Sequence, residues 1–138
     1  MRWVVLLIFN FLMGNLVAQV LDTLRIDCGI NLALIIPVDY RDTLYNYEEG
    51  FFRTFFWKNG DILDIQCGSM SDPAYLRDSV RYEKIHTLNT KESIIQTGVE
   101  RATGKYWGVV RLKKYRVVVS YICSSKRRSF FEKFLQSI

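Results

Sequence analysis

The sequence predicts an α+β fold: an antiparallel sheet of about five to seven strands, with a short central helix and a C-terminal helix packed on it. Three observations carry this expectation. Asn59-Gly60 sits between two β-rich runs, the strongest short-range hairpin signal. Leu63, Ile65 and Cys67 alternate with Asp64 and Gln66, as in a strand with one buried and one wet face. Phe130, Phe131, Phe134, Leu135 and Ile138 recur at helical spacing at the end of the chain.

The elements follow in order. Met1-Arg2 is a short basic start, Trp3 to Val17 is almost wholly apolar, and Leu16-Val17-Ala18 ends in a small residue before Gln19. This is the pattern of a secretory signal peptide over residues 1–18, cut after Ala18. The rival is a membrane anchor, but a span needs roughly 20 apolar residues, and Asn10 and Asn15 interrupt the run. A lipid anchor needs a cysteine directly after the cut, whereas Cys28 follows the polar Arg25-Ile26-Asp27. The expectation is an exported protein, periplasmic or extracellular, with no membrane span once the signal is removed.

Residues 19–138 then form a single α+β domain of sufficient length for its own core. Loss of Arg2 takes the 19 Lys and Arg of the chain to 18, against 14 acidic residues, a mild net charge of +4. That permits an acidic partner without pointing to one. Export and the lack of a recognisable binding module argue against nucleic acid.

Leu24 to Cys28 and Ile30 to Ile36 read as strands about a turn at Gly29, with Pro37 as a stop. Residues 38–43 read as a loop. Leu44 to Glu49, Phe51 to Trp57 and Ile62 to Cys67 are the next strands, the last two joined by a type I′ turn at Asn59-Gly60, which needs positive φ at both central residues. Ser71-Asp72-Pro73 opens a short helix running to about Tyr82, with Asp72 as cap and Pro73 in the first helical position. Residues 84–92 are polar and read as a loop. Ser93 to Ala102, Lys105 to Leu112 and Tyr115 to Cys123 are three more strands, turning at Thr103-Gly104 and Lys113-Lys114. Ser124 or Ser125 caps the terminal helix.

The residues with chemical reach are few. Cys67 and Cys123 both fall at strand ends on inward faces, so a disulfide between them is geometrically possible if their strands are neighbours, with Cys28 left over; the alternative is two buried thiols packing as small hydrophobes. His86, the one histidine, has no cysteine with a catalytic neighbourhood to serve and reads as solvated. No Cys-x-x-Cys or His pair suggests zinc, and no cofactor is implied. Gly98, Gly104 and Lys105 lack the spacing and the Ser or Thr of a phosphate loop. Glu48-Glu49, Asp61 with Asp64, and Asp72 with Asp78 supply carboxylates, but nothing marks the apolar cleft that two-carboxylate hydrolysis needs.

A binding surface is the stronger reading. Lys113, Lys114 and Arg116 surround one turn, and Lys126-Arg127-Arg128 opens the last helix, where positive charge is locally unfavourable. Tyr45, Tyr47, Phe51, Phe52, Phe55, Phe56 and Trp57 form an aromatic run that alternation cannot turn wholly inward. Either helices cover one sheet face and the N-terminal segment the other, or some rings are exposed. The candidate surface is Tyr45, Tyr47, Phe55, Trp57, Lys113, Lys114 and Arg116, facing a protein or a glycan. The functional expectation is a non-enzymatic exported binding or accessory domain. A small hydrolase using a carboxylate pair or a Cys-His site, and a structural cell-envelope component, are the alternatives.

Tyr47-Glu48-Glu49-Gly50-Phe51-Phe52 with the Asn59-Gly60 hairpin, Gly104-Lys105-Tyr106-Trp107, the terminal helix from Phe130 to Ile138 and the signal ending Val17-Ala18-Gln19 together resemble a group of small exported Bacteroidetes proteins with no established activity. The resemblance implies a compartment and a fold and transfers no catalytic residue.

Overall fold

A computed structural model describes residues 21–68 and 72–138. The predicted signal peptide and its cleavage bond, and Ser71 at the predicted helix start, lie outside the described residues.

The architecture is mostly antiparallel sheet. Strands β1 (Leu21–Asp27) and β2 (Asn31–Pro37) form a separate hairpin. A seven-stranded sheet takes the rest, β3 (Arg41–Tyr47), β4 (Gly50–Phe56), β5 (Ile62–Cys67), β6 (Tyr82–Asn89), β7 (Ser93–Glu100), β8 (Tyr106–Leu112) and β9 (Val117–Cys123), in the spatial order β3-β4-β5-β9-β8-β7-β6. Helix α1 (Ala74–Arg77) lies between β5 and β6 in the chain; α2 (Arg128–Ser137) ends it, preceded by a 3-10 turn at Ser125–Arg127.

β9 pairs with β5 on one side and β8 on the other, and all of its residues are buried. Its run of Val, Tyr, Ile and Cys, interrupted only by the small Ser120, is what a strand covered on both faces requires. Val117, Val119, Tyr121 and Cys123 face the larger core, shared with Leu24, Leu34 and Ile36 of the hairpin and with Phe131, Phe134 and Leu135 of α2. Val118 and Ile122 face a smaller cluster with Trp107, Val109 and Tyr82, on which Tyr75 and Leu76 of α1 pack. The hairpin and α2 therefore share one face, and α1 covers part of the other. This corrects the expected division between helices on one side and the N-terminal segment on the other. The two N-terminal strands pair with each other, so their inner row Leu24, Ile26, Leu32, Leu34 and Ile36 needs an apolar face, and the sheet offers it beside α2.

Other expectations are revised. Asn59 does not adopt positive φ; among the described residues near this turn only Gly60 does, at 85°. The Gly60 N–H donates to the Trp57 carbonyl (3.0 Å) and the Trp57 N–H to Asp61 (3.1 Å), so the loop is a type I turn closed by a left-handed glycine. Asn59 instead clasps Asp61, accepting its N–H (3.0 Å) and donating to its carboxylate (2.8 Å). The helix predicted to reach Tyr82 stops at Arg77, because the Asp78 carboxylate accepts the N–H groups of Val80 and Arg81 and turns the chain out of it. Neither helix has a side-chain cap: Asp72 pairs with Arg111, and Ser124 gives its own N–H to Asp61 (3.0 Å). The polar loop expected at 84–92 is mostly strand β6, an edge that buries only Tyr82 and so shows no alternation.

β8 meets α2 at Gly108, where a Cβ would run into the Tyr121 ring and lie 2.7 Å from Leu135 Cδ1. Gly108→Ala is expected to lift the helix and cost about 1–3 kcal/mol of overpacking, read as a lower urea midpoint with unchanged slope.

Candidate functional site

The cysteines settle first. Cys28 and Cys67 are joined, with Cα atoms 5.4 Å apart, and Cys123 is free and buried. The possible Cys67–Cys123 bond is therefore not formed, and Cys123 is the odd one out, not Cys28. Cys67 and Cys123 do share an inward face on neighbouring strands, but the register sets Cys67 opposite Val117, at the other end of β9 from Cys123. The turn of the β1–β2 hairpin brings Cys28 to Cys67 instead. Burial pushes the Cys123 thiol up to about 12, with the charge of nearby Asp61 adding to the shift. A thiol so buried and so weakly acidic is a packing group and a poor nucleophile.

His86 lies on β6 and lines a cleft of about 250 Å³ together with Arg128, Glu132, Leu135 and Gln136 of α2 and with Leu88 and Ile95. No cysteine lines this cleft. Arg128 donates to Glu132 (2.7 Å) and its guanidinium sits 4.2 Å from the Tyr106 ring centroid, so both charges are already partnered. The carboxylates are similarly engaged. Asp61 is fully buried, held by Asn59, the Ser124 N–H and Arg127 (3.4 Å). It supplies the negative charge that the basic start of the terminal helix needs. Asp64 lies on the opposite face under a hydrogen bond from Thr54 (2.6 Å); burial raises its pKa, and that bond works against the rise. Among the described residues, no group of three or more His, Cys, Asp or Glu could hold a metal ion.

The three basic residues of the predicted surface do not line one cleft together. Lys113 and Lys114 line a cleft of about 570 Å³ with Lys91, Glu92, Tyr115 and Ile30; Arg116 does not. Lys113 donates to Asn89 (2.6 Å) and to the Thr90 carbonyl (2.5 Å), bracing the β6–β7 loop.

Strand alternation divides the aromatic run. Phe55 is fully buried and Trp57 nearly so, its indole N–H donating to the Pro37 carbonyl (3.2 Å) and its ring packed edge-on to Phe131. Both belong to the core, which corrects their place in the predicted surface. Tyr45 and Tyr47 point the other way. Tyr45 is 69% exposed and stacks on half-buried Tyr47 at 6.4 Å between centroids and 30° between planes. Tyr45 also pairs across the strands with Phe52, half-buried on the same face, and Phe52 with Gln66. The Tyr47 hydroxyl donates to the Cys67 carbonyl (2.9 Å), which fixes that ring. The result is an aromatic shelf of Tyr45, Tyr47 and Phe52 on the part of the sheet that α1 leaves bare. Phe52, a member of the aromatic run that is not among the candidate surface residues, belongs to it; its alternation with Phe51 and Arg53 is the signal in the sequence.

Among the described residues, no helix is long and apolar enough to cross a membrane. Compared with protein-family models, curated proteins and solved structures, the chain matches none.

Proposed function

We propose that the protein is an exported, non-catalytic binding domain that holds a glycan by stacking a sugar ring on the Tyr45–Tyr47–Phe52 shelf. The observation that carries this reading is the exposed, mutually stacked tyrosine pair on a hydrogen-bonded sheet, with one hydroxyl pinned to Cys67. Flat aromatic faces suit the C–H face of a pyranose, and preorganised rings lose little entropy on binding. The neighbouring Gln66 and Thr43 offer donors and acceptors for ring hydroxyls. Export is supported by the N-terminal sequence and by a disulfide, which an oxidising compartment maintains.

The test is an array of soluble and immobilised oligosaccharides, followed by titration of each positive sugar. Tyr45→Ala is expected to weaken binding about tenfold, the loss of roughly 1.4 kcal/mol. Stability should stay within about 0.5 kcal/mol, since the ring is largely exposed. An array on which the wild type and Tyr45→Ala give the same profile would sink the reading.

A further inference from the structure

We propose that two copies of this chain associate through β3, antiparallel about a two-fold axis at Leu44, so that their seven-stranded sheets become one. Among the described residues, β3 is one free edge of the sheet and β6 is the other. β6 carries an irregularity between Lys84 and His86, which breaks the regular ladder a partner strand would need. β3 has no such device: it pairs residue for residue with β4 from Arg41 to Tyr47, and it contains no Lys or Pro. Leu44 is 57% exposed on it, beside Tyr45.

The direction of its main-chain groups follows from the turn. Tyr47 and Gly50 close the β3–β4 hairpin around Glu48-Glu49, so they form a hydrogen-bonded pair, and such pairs alternate along an antiparallel ladder. Tyr45, Thr43 and Arg41 therefore bond inward to β4. Asp42, Leu44 and Asn46 present their N–H and C=O groups outward. A two-fold at Leu44 sets Leu44 against Leu44 of the second copy, Asp42 against Asn46 and Arg41 against Tyr47, with about six main-chain hydrogen bonds between them.

Charge favours this arrangement. Asp42 is neutralised within its own chain by Arg53 (2.9 and 2.7 Å) and meets an uncharged asparagine. Arg41 lies toward the acidic Glu48-Glu49 loop of the other copy. A parallel pairing in register would set Arg41 on Arg41 and Asp42 on Asp42, which is repulsive. On the other face the two tyrosine shelves meet across the axis. The inference does not rest on glycan binding, because association is measured without sugar.

Sedimentation velocity and residue-resolved amide exchange test it, on the protein in the form its host releases. At about 100 µM the wild type is expected to be a dimer, and the N–H groups of Asp42, Leu44 and Asn46 to exchange about tenfold more slowly than in the dilute monomer. Leu44→Pro removes one outward N–H and no bond to β4, so it should leave a monomer with an unchanged melting temperature. Leu44→Lys, which puts two charges at the axis, should do the same if the proline variant fails to fold. A wild type that stays monomeric at that concentration overturns the proposal. So does a dimer that survives Leu44→Lys, or one whose Asp42, Leu44 and Asn46 amides exchange as in the monomer.

Discussion

Cys28→Ser is expected to lower the unfolding free energy by about 4 kcal/mol, while Cys123→Ala lowers it by only about 1 kcal/mol. The first figure comes from the 39-residue separation that the Cys28–Cys67 bond closes, through the chain entropy it removes from the unfolded state. The second comes from the loss of one small buried group. Cys67→Ser should match Cys28→Ser, and adding a reductant to the wild type should reproduce both. Urea unfolding of the three variants, with and without reductant, reads this directly. If Cys123→Ala proves as costly as Cys67→Ser and equally insensitive to reductant, the pairing is wrong. The effect should also be local in origin. The hairpin is held otherwise by apolar packing, by the Trp57 indole N–H on Pro37 and by Tyr40 on Asp22, so loss of the bond frees the Gly29 end first. Faster amide exchange in β1 and β2 than in β9 would follow in the serine variants.

Phe131→Ala is expected to cost about 4 kcal/mol, the range for emptying a fully buried aromatic site. Phe131 has no exposed surface and lies among four rings: stacked on Tyr121 at 4.9 Å, and edge-on to Phe130, Trp57 and Phe134 at 5.4, 6.0 and 6.3 Å. No neighbour can collapse into the space, because Tyr121 is fixed in the central strand and Trp57 is tied to Pro37. Phe130 is only partly buried, and its alanine variant should lose less than half as much. Equal losses at the two positions, measured by urea unfolding, would place the helix in a different rotation about its axis.

Much of the sheet was legible because its signals are local. Ile62–Cys67 appears with the bounds the alternation predicts, and the Asn59-Gly60 turn joins the two strands it flanks. The strands expected over 93–123 are present, and the helical spacing of Phe131, Phe134 and Leu135 does mark the buried stripe of α2. The main sheet holds seven strands, with a further two in the separate hairpin. What the sequence hid depends on distant partners. Nothing near Cys28 says that its turn will arrive over the end of β5. β6 was missed because an edge strand buries little: Ile85 and Leu88 are exposed on it, so its residues carry no periodicity. The candidate surface lost Phe55 and Trp57 to the core for a related reason. Alternation separates Tyr45 and Tyr47 from Phe55 within the strands, but Trp57 lies past the end of β4, where its burial is decided by Pro37 and Phe131.

The place of β9 has a consequence for the order of events in folding. Among the described strands it comes last in sequence and sits in the middle of the sheet, pairing Ile62 with Ile122 on one side and Trp107 with Ile122 on the other. Until it arrives, β3–β4–β5 and β6–β7–β8 are two separate meanders, each with a raw inner edge. Joining them closes a long loop, so the rate-limiting encounter is non-local and slow by the standards of small proteins. A chain that stalls before Val117 leaves both inner edges open to other chains. The hazard of aggregation is therefore greatest before the residues from Val117 onward complete the keystone.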